Sequence, residues 1–388
     1  MSLTFDSARI PNPHLTEDHL AWRDALRRFV DKEIMPYAED WDEAGHIPIA
    51  LWPKAAEVGL LGAGYPEQYG GMETDSWHSW IINEELSRVG VGGLSASLMV
   101  HGIGLPPVIN WGTEAMKAEI APPVLRGESW ISLGITEPGG GSDVASLQTT
   151  AVRDGDHYIV NGSKTYITGG MRANYVSTAV RTGGDGATGV SMLLIPTDAE
   201  GFSRTALDKK MGWWASDTAT LYFDNVRVPI SNLIGQENQG FRVIMTNFNS
   251  ERMGMAAAME AFGRVCLEEA VNWARERQTF GKRLADHQVI RHKIAMMKQK
   301  LNATQAYIRI CYEAIEAGEA NAGDIALLKV QASEVMEFCA REAMQILGGV
   351  GYMRGNRVER IYREVRVNAI GGGSEEIMRD LASRQYGL

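Results

Sequence analysis

Three long stretches with helical period, residues 241–277, 287–317 and 324–347, fill most of the last third of this chain. Apolar residues recur there at the three- and four-residue spacing that gathers them on one face of a helix. Helices of that length bury such faces against one another, as in an antiparallel bundle. Whatever precedes them has to be arranged around that bundle.

What precedes them is of two kinds. Residues 1–130 read as helical. Thr16 with Glu17 and Asp18 opens a helix, and Leu20, Trp22, Leu26, Phe29 and Val30 follow at helical spacing. Residues 53–61, 74–89 and 114–125 repeat the pattern, and 92–109 reads as one apolar, small-residue helix, buried on most sides. Residues 131–235 change character. Asp154-Gly-Asp is a turn between TTAVR and HYIVNG, which predicts a hairpin. Further β-branched or aromatic runs begin at Tyr166, Tyr175, Val190 and Thr220, each bounded by Gly, Asp or Pro. No strand alternates with a long helix, so a dinucleotide-binding α/β layout is disfavoured. The reading is an α+β chain: an N-terminal helical domain (1–130), a middle antiparallel β barrel or sandwich (131–235) and a C-terminal helical bundle (236–388).

Composition removes several classes. No apolar tract reaches the length of about 18 residues that a membrane helix needs. The net charge of −10 opposes nucleic-acid binding. Three cysteines without CxxC spacing exclude a disulfide framework and a zinc ribbon, and no metal ligand set stands out. The N-terminal segment has no apolar signal core. The expected location is a bacterial cytoplasm, or a mitochondrial matrix if a transit peptide has been removed.

Four segments could carry chemistry. Gly134-Ile-Thr-Glu-Pro-Gly-Gly-Gly-Ser-Asp is a loop whose N–H groups can approach a ligand closely; taken alone it is as well explained as an interdomain turn. Arg275-Glu-Arg-Gln-Thr-Phe-Gly-Lys, followed by His287 and Gln288, breaks two long helices with a cationic loop, and its Phe280 needs a surface to cover. Gln345-Ile-Leu-Gly-Gly-Val-Gly-Tyr ends a helix with three glycines, which C-capping also explains. Ala369-Ile-Gly-Gly-Gly-Ser-Glu-Glu opens a helix with a capping serine and two acids, and leaves amides suited to an oxyanion.

In this order and spacing the four segments resemble the acyl-CoA dehydrogenase family, and the resemblance covers nearly the whole chain. GITEPGGGSD is similar to that family's first signature, and QILGGVGY with Arg360 and Glu364 to its second; Gly355 departs from it, where an acid or amide is usual. The resemblance implies FAD, an acyl-CoA substrate, electron-transferring flavoprotein as acceptor, and a homotetramer built as a dimer of dimers. It implies that Leu133, Ile135, Thr136, Gly141 and Ser142 line the flavin, and that Tyr166, Ile167 and Thr168 pack on its ring system. Arg277, Thr279, Phe280, His287 and Gln288, with Gln345, Gly348 and Gly349, would serve the FAD of a neighbouring subunit. Ser374 and Glu376 would complete the site.

The family's reaction needs a base over the α-carbon, a donor for the thioester oxygen, and a β-hydrogen facing flavin N5, to which it passes as hydride. Gly372 would give its backbone N–H to the oxygen. It also stands where many members carry the catalytic glutamate, and glycine cannot abstract a proton. Isovaleryl-CoA and long-chain acyl-CoA dehydrogenases lack an acid there too and carry the base on the first long C-terminal helix, before an arginine. Asn249-Ser-Glu-Arg252 matches that stretch, so Glu251 is the candidate base; a solvated helix carboxylate is the plain alternative. Ser142, Asn249, Arg252 and Gly373 would contact substrate, with Ser95 and Met99 at the pocket floor. A bare Gly372 is expected to leave room near the α and β carbons, which suits a long or branched acyl chain. Competing readings are an acyl-CoA oxidase, a nitroalkane-oxidase-like flavoenzyme, and a DNA-binding relative without catalysis.

Overall fold

The protein is described by a computed structural model covering residues 3–388. The chain forms two compact units: Asp40–Thr74 with Gly93–Glu251, and the residues up to Glu39 with Asp75–Gly92 and Arg252–Leu388. The helices before residue 130 are thus divided. Glu17–Phe29 and Ser76–Ser87 belong with the C-terminal helices, whereas Leu51–Glu57 and Glu114–Leu125 belong with the strands.

In the strand-bearing unit, β1 (Ile131–Gly134), β2 (Thr150–Asp154), β3 (His157–Thr168), β4 (Tyr175–Arg181), β5 (Val190–Pro196), β6 (Phe202–Ala206), β7 (Thr218–Pro229) and β8 (Leu233–Ile234) make one eight-stranded sheet. Its order is β6-β7-β3-β2-β4-β5-β8, with β1 beside β4. The expected hairpin is present: Asp154 pairs with His157, and Gly155 takes the left-handed φ of +61° that its two-residue turn requires. Most neighbours are antiparallel as expected, but β4 runs parallel to β1 and to the start of β2. No sequence signal marks those joins, because β1 is four residues long and ends in glycine. One face of the sheet packs Ala179, Met192 and Leu194 against Leu105, Ile120, Val124 and Val243. Tyr158, Val160, Val176, Leu193 and Leu221 fill another core.

The single helix expected over 92–109 is three: Gly92–Leu98, His101–Gly104 and Pro106–Trp111. Pro106 and Pro107 stand at the start of the third, where proline fits; in a continuous helix their rings would collide with the preceding turn. Two glycines weaken the turn between. No single helix among the described residues is long and apolar enough to cross a membrane.

In the other unit the helices expected after Thr16 and Ser374 are capped by those residues, and three more helices carry side-chain caps. Thr16 accepts from the His19 N–H, Asp75 from that of His78, Asn321 from Gly323 and Asp324, Asn356 from Glu359, and Ser374 from Ile377. The His19 and His78 rings also reach the Asp75 carboxylate, tying two of these caps together. The three predicted long helices are Gly240–Glu276, Gln288–Glu316 and Ala322–Leu347, and Arg357–Ile370 and Glu375–Gln385 follow. The boundary between units falls inside the first, between Glu251 and Arg252. The core of this unit joins Trp77, Trp80, Phe262, Leu301, Tyr312 and Met336, and takes in Phe5 and Ala8 from the start of the chain. Buried Arg264 stacks its guanidinium 4.2 Å above the Phe5 ring, donates to the Phe5 carbonyl at 3.2 Å, and pairs with Glu260 and Glu84.

Candidate active site

The Gly134–Asp143 loop leaves β1 and stands on a buried ion pair. Glu137 accepts from the N–H groups of Gln148 (2.6 Å) and Thr149 (2.8 Å) and from Lys164 Nζ (2.8 Å), which also reaches the Ile135 carbonyl at 3.0 Å. Burial pulls the Lys164 ammonium down to about 8, against the pull of Glu137. The residues beyond this anchor are open. Glu137 and Gly140 close a turn on each other, and the N–H groups of Gly141 and Ser142 have no acceptor among the described residues. Leu133 and Ile135 pack partly on the neighbouring core and stay half-buried, as does Thr136.

β3 shifts register against β7 between Lys164 and Ile167, and Tyr166 sits at that irregularity with φ +60° and its side chain 71% exposed. Ile167 corrects an expectation: its side chain belongs to a sheet core, so it has only main chain to offer a ligand. The Thr168 carbonyl accepts from Ser132 Oγ at 2.8 Å. Ser95 and Met99 are linked by a backbone hydrogen bond of 3.0 Å, and Met99 falls just past the end of its helix. The Ser95 hydroxyl is buried with no partner among the described residues.

In the other unit, Arg277–Arg283 forms a small hairpin from β9 (Gln278–Thr279) and β10 (Lys282–Arg283). His287 holds it, with Nε2 3.3 Å from both Thr279 Oγ1 and the Thr279 carbonyl. Phe280 at the tip takes φ +50°, edges the His287 ring, and is 97% exposed. Gln288 begins the helix that follows. Gln345 and Gly349 are exposed at the end of Ala322–Leu347, where Gly348 caps with φ +63°. Glu364 of the second signature accepts from the Gly92 N–H at 2.8 Å.

The loop 370–374 is held from two sides. Arg252 Nε donates to the Gly372 carbonyl at 3.1 Å. Lys329, fully buried in Ala322–Leu347, donates to the carbonyls of Ala369 (3.2 Å) and Gly373 (2.8 Å). One turn on, Ser333 donates to Glu375 at 2.7 Å, while Glu376 is exposed in the first turn of the helix that Ser374 caps. Gly372 and Gly373 have φ of +67° and +106°, a region that favours glycine. Their N–H groups have no acceptor among the described residues.

The expected room above Gly372 is not there. A Cβ built on it would lie 2.7 Å from Met255 Sδ, so that methionine already fills the space. Met255 lies four residues after Glu251 on one helix, hence on the same face. Glu251 and Asn249 are half-buried. Glu137, Lys164, Lys329 and Met255 were missed in the sequence. Only Glu137 gave a signal, as an acid inside a glycine-rich loop.

Comparison with known proteins covers almost the whole length. Residues 16–128, 132–226 and 238–387 match the N-terminal, middle and C-terminal domain models of acyl-CoA dehydrogenase. The mitochondrial long-chain specific acyl-CoA dehydrogenase of Rattus norvegicus is 34% identical over 95% of this chain and 86% of its own length. A crystal structure described as a probable acyl CoA dehydrogenase from Mycobacterium abscessus superposes with a TM-score of 0.94 at 45% identity, covering 96% of this chain and 99% of that one. A glutaryl-CoA dehydrogenase from Mycobacterium smegmatis, solved in complex with FADH2, gives 0.90 at 26% identity over 96% and 95% of the two chains. With three domain models matched in order on this architecture, the chain belongs to the acyl-CoA dehydrogenase family of oxidoreductases.

Proposed function

We propose that this enzyme uses FAD to convert a long or branched acyl-CoA into its trans-2-enoyl-CoA, with Glu251 as the base. The observation that carries the reading is the 370–374 loop. It has no acid where many relatives keep theirs, yet it keeps two unfilled N–H groups beside a clamped carbonyl. A half-buried carboxylate at Glu251, one residue from the arginine that holds this loop, is then the group to take the α-proton. The Gly372 N–H takes the thioester oxygen and stabilises the enolate as its charge grows. Ser142, Asn249, Arg252 and Gly373 orient the thioester, and Ser95 and Met99 border the chain.

The residues present fit a flavin. The open N–H groups of Gly141 and Ser142, the outward Tyr166 and the main chain of Ile167 and Thr168 suit the isoalloxazine and ribityl end. A flavin bound there supplies the two-electron acceptor for the β-hydride. Arg277, Thr279, Phe280, His287 and Gln288, with Gln345, Gly348 and Gly349, serve the adenine and pyrophosphate end of a second copy's FAD, in a homotetramer. An almost fully exposed Phe280 on a hairpin tip supports a partner surface. Ser374, which caps its helix, and Glu376, in the first turn, complete the cofactor site in this reading. Electron-transferring flavoprotein is the acceptor that this chemistry calls for. The base position and the long-chain relative support a long or branched substrate.

Anaerobic bleaching of the bound flavin by straight and branched acyl-CoAs tests the assignment. Reduction by none of them would remove it. Rapid reoxidation by air after reduction would favour an oxidase instead.

A further inference from the structure

We propose that Lys329 and Arg252 are positioning residues that aim the N–H groups of the glycine loop at the thioester oxygen. This rests on the reading of the glycine loop as the oxygen's donor, with the clamps setting the Gly373 N–H beside that of Gly372.

Arg252 and Lys329 come from different helices, yet both terminate on main-chain carbonyls of one short segment: Gly372 for the first, Ala369 and Gly373 for the second. In a trans peptide the carbonyl and the following N–H point in opposite directions. Drawing the Gly372 and Gly373 carbonyls toward the two cations therefore turns the N–H groups of Gly373 and Ser374 the other way. Gly372 and Gly373 are both at positive φ, where glycine places no Cβ beside these N–H groups. The N–H groups of Gly372 and Gly373 have no acceptor among the described residues, as a donor set waiting for an oxygen would. Ser333, one turn beyond Lys329, holds Glu375 and so fixes the far side of the segment from the same helix.

Both clamps are buried. A donor fixed in place beforehand favours an enolate over a neutral thioester, because nothing has to reorganise when the charge appears. Replacing Lys329 by a neutral residue should therefore weaken α-proton acidification more than it weakens binding.

The probe is a 3-thiaacyl-CoA, which binds, can lose its α-proton and cannot be dehydrogenated. On the flavin-loaded enzyme its ionisation is read from the long-wavelength absorbance of the enolate beside the oxidised flavin, as a function of pH. For Lys329→Met the midpoint is expected to rise by one unit or more, a tenfold loss of acidification. Affinity for the un-ionised analogue should stay within threefold, and Lys329→Arg should recover at least half of the shift. An unchanged midpoint in folded, flavin-loaded Lys329→Met overturns the proposal. So does a loss of flavin and affinity together without a midpoint shift, which marks a purely structural role. If Lys329→Met does not fold, Lys329→Gln is judged by the same criteria. Glu251→Gln separates the two readings: it should bind the analogue and ionise it far more slowly, and ionisation at the wild-type rate would fault the base assignment rather than the clamp.

Discussion

Gly372→Ala, made with and without Met255→Ala, measures how the space beside the glycine loop is used. At φ +67° a side chain is held in left-handed backbone, which costs about 1–2 kcal/mol for a residue other than glycine. The new Cβ also lies 2.7 Å from Met255 Sδ. Relief by a strained methionine rotamer adds about 0.5–1.5 kcal/mol. Gly372→Ala should thus destabilise by about 1.5–3.5 kcal/mol beside Met255 and by about 1–2 kcal/mol beside alanine. An unfolding entropy of about 2.1 cal/mol/K per residue, over 388 residues, makes these roughly 2–4 °C and roughly 1–2.5 °C in Tm. Thermal melts of the four proteins at one scan rate and one FAD concentration close the cycle. Additive losses would show that methionine does not occupy the space. Glu251→Gly with Gly372→Glu should likewise regain flavin reduction only when Met255 is also shortened.

Three further outcomes are expected. Glu251→Gln should slow stopped-flow reduction of the flavin by more than the roughly 10²–10⁴-fold of ordinary general-base loss; a rate within tenfold of the wild type puts the base elsewhere. Arg277→Ala should shed FAD and weaken the oligomer, and an FAD-replete, stable monomer in light scattering contradicts the shared-cofactor reading. Lys164 titrates near 8 in the folded chain, below the ordinary 10.5. Between those values the unfolded chain binds more protons, so this group's contribution to stability rises with pH. The Tm gap between wild type and Lys164→Met should therefore widen in favour of the wild type from about pH 7.5 to about pH 9.5, whereas a constant gap denies the buried titration.

Local signals carried much of the architecture. A capping residue before an apolar period marked the helices at Thr16 and Ser374, and Asp-Gly-Asp marked the β2–β3 turn. Such signals lie within a few residues of what they specify. The parts that stayed hidden depend on distant neighbours. Lys329 sits in an ordinary helical pattern, and only the fold-back of Arg357–Ile370 turns it into a donor for that helix's last carbonyls. Gly372 looked like vacancy until Met255, more than a hundred residues earlier, was found against it. Pro106 and Pro107 mark the break of 92–109 in the sequence, inside an apolar run that continues past them. The candidate site followed from motif order, and its supports did not.

The burial of Phe5 and Ala8 has a consequence for how the chain is made. These residues leave the ribosome long before Phe262, Leu301 and Met336, which build their place in the core. The sheet-bearing unit ends at Glu251 and can close while synthesis continues. The helical unit has to wait with its opening segment unburied. Closing so long a loop adds little entropy beyond closing a short one, since the penalty grows only as the logarithm of length, but it delays the contact. Assembly of the two units is thereby ordered in time: the one that offers Gly141 and Ser142 forms first, and the one that holds Gly372 forms last.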